Sequence, residues 1–170
     1  MSPRLVFILT LLWLAPAYGQ QPQAAHNPLI DYSGFARNVA EVEGLREARR
    51  ISEADFIRMA REPGTVILDA RSERLYRLRH IDGAVNLSFP EFTAATLAQV
   101  IPTPDTRVLI YCNNNFQGAP ESMPAKAIAS ALNLSTFVSL HAYGYRKVYE
   151  LAPAVNVALT KLAFRGTEVR

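Results

Sequence analysis

The sequence predicts an α/β protein built on a mostly parallel sheet with helices on both faces. Three observations carry that expectation. Short apolar runs at Val66–Leu68, Ala84–Leu87 and Val108–Tyr111 are bounded by turn residues, as strands buried on both faces are. Segments with helix start signals lie between them, which makes βα units and a parallel sheet. The composition, 170 residues with 49% hydrophobic and 19% charged, supplies a core and excludes a disordered tail or a collagen-like fibre.

Along the chain, Met1–Arg4 is short and basic, and Leu5–Leu14 is almost unbroken apolar sequence. Ala17-Tyr18-Gly19 then places small residues at a cleavage-type spacing, ahead of the polar Gln20-Gln21-Pro22-Gln23. This is the layout of an export signal peptide over residues 1–19, and the apolar run falls short of the ~20 residues that span a bilayer. An uncleaved anchor is the alternative, and only then would the protein meet a membrane. Cleavage after Gly19 leaves residues 20–170, one domain's worth, working in the periplasm or outside the cell.

Residues 20–49 read as an arm or leading helix. Ser52-Glu53-Ala54-Asp55 carries a capping hydroxyl three residues before a carboxylate, and Phe56, Ile57, Met59 and Ala60 give that helix an apolar side ended by Pro63-Gly64. A strand ending at Asp69 follows, then a helix over 73–79, a strand over 84–87, and a helix over 90–100 opened by Pro90. Arg107–Tyr111 is the clearest strand. The pattern then predicts a polar loop, a helix over 124–132, a strand over 137–140 and a helix over 143–151, with residues 152–170 as a C-terminal extension.

Charge excludes some partners. A net +3, falling by one if Arg4 is removed with the leader, gives no strong attraction to nucleic acid despite a pI near 9.2. Cys112 is the only cysteine, so no internal disulfide and no thiolate-rich zinc site can form. His26, His80 and His141 lack ligand spacing, and no metal or organic cofactor is expected. No glycine-rich nucleotide fingerprint is present. Arg46, Arg49 and Arg50, with Arg74, Arg77 and Arg79, read as solvated helix faces rather than a binding surface. Asn86 and Asn133 head Asn-x-Ser sequons, the first within a strand expected to be buried.

Cys112 follows the strand Arg107–Tyr111 directly. Ligands of open parallel sheets bind beyond the carboxyl ends of strands, and there loop amides and the next helix's positive end can converge on an anion. A thiolate is such an anion, so the expectation is a cysteine of lowered pKa and nucleophilic character. The other reading is an inert buried cysteine at a strand end.

Three ordered segments resemble the single-domain rhodaneses. These are Val66-Ile67-Leu68-Asp69-Ala70-Arg71, His80-Ile81-Asp82-Gly83-Ala84-Val85-Asn86 and Val108-Leu109-Ile110-Tyr111-Cys112, supported by Tyr143–Tyr149 near the domain end. The resemblance covers residues 50–151. It implies an open parallel sheet flanked by helices, and sulfur transfer through a persulfide on Cys112 cradled by Asn113, Asn114, Asn115, Phe116, Gln117 and Gly118. It also implies that Asp69 and Arg71 hold strand ends and loops together, and that His80 is a packed or capping residue rather than the base.

The loop departs from the family's Cys-x-x-Gly-x-Arg. Asn115 stands where glycine is usual and Gln117 where arginine is usual, and Gly118–Met123 enlarges the loop. Losing that cation argues against small dianionic donors and a cysteine phosphatase, and for a larger, less charged or protein-borne sulfur compound. Two readings stand. One is an exported sulfurtransferase acting on a small sulfur donor or a thiol or protein persulfide. The other is a non-catalytic sulfur carrier or protein-binding module whose partner meets the enlarged loop.

Overall fold

Why the sheet forms where it does follows from side-chain alternation in its two central strands. In a computed structural model, which describes residues 27–169, strands β2 (Thr65–Asp69) and β5 (Arg107–Tyr111) pair in parallel, Val66 opposite Val108 and Asp69 opposite Tyr111. Successive side chains point to opposite faces, and each strand supplies apolar groups to both. Val108, Ile110 and Leu68 enter one core; Leu109, Tyr111 and Ile67 enter the other. A strand with two buried faces cannot alternate apolar and polar residues, which is why these runs are continuous.

The sheet order is β1 (Arg50–Ile51), β7 (Val148–Leu151), β5, β2, β4 (Ala84–Asn86), all parallel. One face is covered by α1 (Tyr32–Glu47), α4 (Ala94–Val100) and α5 (Leu132–Ala142), which bring Val42, Leu97, Phe137 and Leu140 into its core. The other receives Phe56 and Met59 of α2 (Glu53–Ala60). The open, mostly parallel, helix-flanked architecture is therefore as predicted. The leader and the Gln/Pro/Ala stretch lie outside the described residues. Among those described, no helix is long and apolar enough to cross a membrane. Residues 27–31 precede α1 and carry a turn in which Ile30 N–H donates to the Asn27 carbonyl at 3.1 Å.

Helix α2 starts as its sequence indicates, the Ser52 hydroxyl accepting from Asp55 N–H at 3.1 Å. Helix α3 spans Glu73–Leu78. The third predicted helix needs correction. Pro90 sits in a single 3-10 turn, Phe89–Glu91, and α4 begins later, where Thr93 and Thr96 form a reciprocal capping box. A real cap displaced a favourable proline.

Residues 124–151 differ most. The expected helix at 124–132 is extended chain with a 3-10 turn at Ile128–Ser130; the expected strand at 137–140 lies inside α5; the expected helix at 143–151 is a Gly144 turn and strand β7. The cause is burial. Helix α5 hides Asn133, Thr136, Phe137, Val138, Leu140 and His141, so it lacks the one-sided pattern of a surface helix. A short apolar run such as Phe137–Leu140 does not distinguish helix from strand by periodicity. Strand β7 is disguised by Glu150, buried because a cation from α1 meets it.

The last stretch of chain belongs to the same fold. Strand β8 (Val155–Asn156) pairs with β6 (Phe116–Gln117), and β9 (Phe164–Arg165) pairs antiparallel with β3 (His80–Ile81). Gly166 ends β9 at φ +128°, and a Cβ there would lie 2.3 Å from the Leu78 carbonyl oxygen. Thr167 and Glu168 hold that approach by donating to the Arg77 and Leu78 carbonyls, both at 3.0 Å. Gly166→Ala is expected to cost about 2–3 kcal/mol, through strain and a backbone clash that cannot relax without breaking those bonds. Chemical denaturation read by tryptophan-independent far-UV dichroism checks it; unchanged stability would mean the C-terminal strand is not held there.

Candidate active site

Cys112 is the first residue past the end of β5, the middle strand of the sheet, and is 3% exposed. The three asparagines after it form a 3-10 turn, Asn113–Asn115, and each has a different task. Asn115 is the hub. Its Oδ1 accepts from Cys112 N–H at 2.9 Å and from Asn133 Nδ2 at 3.1 Å, while its Nδ2 donates to the Leu151 carbonyl at 2.8 Å and the Pro153 carbonyl at 3.1 Å. One amide thus joins the cysteine, the end of β7 and the start of α5. In return the Asn115 N–H faces Cys112 and lies 3.1 Å from its carbonyl oxygen, and Phe116 N–H closes onto the Asn113 carbonyl. Asn114 pins the later part of the loop in both directions, Nδ2 to the Lys126 carbonyl and Oδ1 from Lys126 N–H, each at 2.9 Å. Asn113 is buried, with Oδ1 unpartnered.

Beside Cys112 lies a cleft of about 580 Å³. Asn114 and Asn115 share its wall. Ala131, Asn133 and Leu134 bring the N-terminal end of α5 to it, an end that no side chain caps. Unengaged amides and the helix dipole make such an end favourable to negative charge. An uncapped helix end thus stands beside the cysteine, its first residue twenty positions after Cys112 and eight later than the expected start at 124.

Of the other loop positions, Phe116 is buried between the Tyr111 and Phe164 rings, at centroid distances of 5.8 and 5.4 Å. Gln117 and Gly118 are exposed, the latter at φ +83°, and neither they, Asn113 nor Phe116 line the cleft. Asp69 and Arg71 also lie elsewhere, in a fully buried network. Arg71 Nε donates to Asp69 Oδ1 at 2.9 Å, its Nη1 to the Ser122 carbonyl at 2.9 Å and its Nη2 to the Arg79 carbonyl at 2.7 Å. Tyr111 Oη donates to the same carboxylate and accepts from Ile81 N–H. Burial works to lower the Arg71 pKa, but the Asp69 carboxylate outweighs it and the guanidinium is held more firmly protonated than usual. Burial, reinforced by that carboxylate, pushes the Tyr111 phenol well up. The network straps the enlarged loop to the sheet. His80 stacks on Tyr76 at 3.8 Å and its Nδ1 meets the Tyr76 carbonyl, away from the cleft.

Four polar or charged residues of the cleft carry no site signal in the sequence: Arg46, Arg50, Asn133 and Glu150. Arg46, in the last turn of α1, makes a two-pronged ion pair with Glu150, both bonds 2.6 Å, with the carboxylate 5% exposed. Arg50 enters from β1, the edge strand. With Arg46 held by Glu150, Arg50 is the cation that a different part of the chain brings to the cleft in place of the one missing at Gln117. Three arginines within five residues do stand out, but a solvated helix face shows the same pattern.

A family model described as "Rhodanese-like domain" matches residues 52–153. Among solved structures, the BH2092 protein from Bacillus halodurans is 20% identical, with 69% of this chain and 77% of that chain covered and a TM-score of 0.45. The Alr3790 protein from Anabaena sp. is 16% identical, with 68% and 81% covered and a TM-score of 0.46. A rhodanese with anions from E. coli is 19% identical, with 60% and 98% covered and a TM-score of 0.40. No curated protein matches the chain.

Proposed function

The chain belongs to the rhodanese-like family, a family of sulfurtransferase type, and on that premise we propose that Cys112 carries sulfane sulfur from a donor to a thiol acceptor. The observation that supports this most is the shared cleft: the cysteine at the carboxyl end of the central strand, the uncapped end of α5, and two arginines around one cavity. A persulfide is anionic at neutral pH, and the uncapped end of α5 and Arg50 favour an anion there, Arg46 being neutralised by Glu150. Cys112 being the only cysteine, no second thiol of this chain can collect the sulfur, so the acceptor comes from outside. Nothing in such an exchange calls for a metal.

Ile128, 90% exposed on the cleft wall beside the segment that Asn114 pins at Lys126, offers an apolar contact to an incoming sulfur compound. Exposing the protein to thiosulfate, a polysulfide and a thiol persulfide, then weighing it intact, tests the reading. One added sulfur that a thiol removes is the expected result, and an unmodified chain with every donor would favour a binding module. The protein also works outside the cytoplasm in this proposal, the support being the basic start, apolar run and small-residue spacing of residues 1–19. Protein recovered from an exporting bacterial host should begin at Gln20; recovery of the intact Met1 form from the cytoplasm would refute that.

A further inference from the structure

From the wall of the Cys112 cleft we infer that the sulfur donor is the persulfide of an amino acid or short peptide, held by its carboxylate on Arg50 and by an N–H on Asn133 Oδ1; this rests on the proposal that Cys112 takes up sulfur.

Asn133 carries the first half. It is 4% exposed, stands on the cleft wall, and its Oδ1 has no hydrogen-bond partner. Its orientation is fixed by its neighbour. Asn115 gives its Nδ2 to two carbonyls, so its Oδ1 must face Cys112 N–H and Asn133, and Asn133 must answer with Nδ2. What remains is a buried acceptor, costly until a donor meets it. Thiosulfate has only acceptor oxygens at neutral pH and cannot supply one. An ammonium or peptide N–H can.

Arg50 carries the second half. Arg46 is committed to Glu150, whereas the ion pair of Arg50 among the described residues is with Glu47 at 3.5 Å, a carboxylate 78% exposed. Such a pair is weak and readily exchanged for a ligand carboxylate. Backbone pairing of Arg50 opposite Glu150 fixes where its side chain starts. A cleft of about 580 Å³ is of the size that holds organic ligands, more than an inorganic dianion fills.

The step balances without an oxidant. Cys112–SH and R–S–S⁻ give Cys112–S–S⁻ and R–SH: the bond between the donor's two sulfurs breaks, the bond from Sγ to the outer sulfur forms, and the cysteine proton ends on the departing thiol.

The test compares sulfur loading of Cys112 from the persulfides of cysteine, cysteamine, which lacks the carboxylate, and 3-mercaptopropionate, which lacks nitrogen. Cysteine persulfide should load at least about tenfold faster than either. Arg50→Gln should erase the advantage over cysteamine, and Asn133→Leu the advantage over 3-mercaptopropionate. If a variant fails to fold, the three probes on the unaltered protein still decide. Equal rates there, or an Arg50→Gln protein keeping the full preference, overturn the inference alone. No loading from any probe overturns the sulfur-transfer proposal and the inference with it.

Discussion

Asp69→Ala is expected to destabilise the protein by about 3–5 kcal/mol, enough to unfold much of it near physiological temperature. The carboxylate is completely buried, and three partners depend on it: the Arg71 backbone N–H at 3.0 Å, the Arg71 guanidinium and the Tyr111 hydroxyl. Removing it leaves a guanidinium, itself 2% exposed, uncompensated over the Tyr111 ring. An unpaired charge at such a site is costlier than the loss of a favourable pair. The comparison that isolates this is Asp69→Leu combined with Arg71→Met. The double variant should recover part of the loss, although the Ser122 and Arg79 carbonyls lose their donor and the loop loosens. Urea denaturation of the two singles and the double measures the coupling. Additive costs would show that the pair does not act as a unit.

Cys112→Ser is expected to abolish sulfur uptake while leaving the fold intact. A serine hydroxyl fits where the thiol sits, and the Cys112 hydrogen bond to Asn115 runs through the backbone, so the site's framework survives the exchange. The chemistry does not. An alcohol is a far poorer nucleophile than a thiol near neutral pH and forms no persulfide. With no other cysteine in the chain, no alternative carrier exists. Transfer of sulfur from donor to acceptor thiol, followed in steady state, should fall to the uncatalysed rate, and unfolding midpoints should move little. Residual turnover well above background would place the reaction elsewhere.

The sequence exposed the parts of the fold whose burial is two-sided and whose punctuation is local. Strand β5 keeps its predicted limits, Arg107–Tyr111, because its apolar run is closed by the polar turn of asparagines. Helix α2 starts after Ser52 because its cap is written in adjacent residues. The region after Cys112 was opaque for the opposite reason. Its order comes from distant partners: Asn115 with Leu151 and Pro153, Arg71 with Ser122, Arg46 with Glu150. None of these pairings leaves a trace in a local window. The cleft shows the same division. Cys112 was legible as the end of a strand, whereas Arg46 and Arg50 reach it only because α1 packs beside α5 and β1 extends the sheet past β7.

The most direct measurement is the mass of one peptide. Trypsin cutting after Arg107 and Lys126 releases Val108–Lys126, which holds the only thiol. After exposure to a thiol persulfide and alkylation, that peptide should carry one extra sulfur on Cys112, and brief treatment with an acceptor thiol before alkylation should remove it. A peptide that emerges with its ordinary alkylated mass under every donor, from protein shown to be folded, would contradict the account.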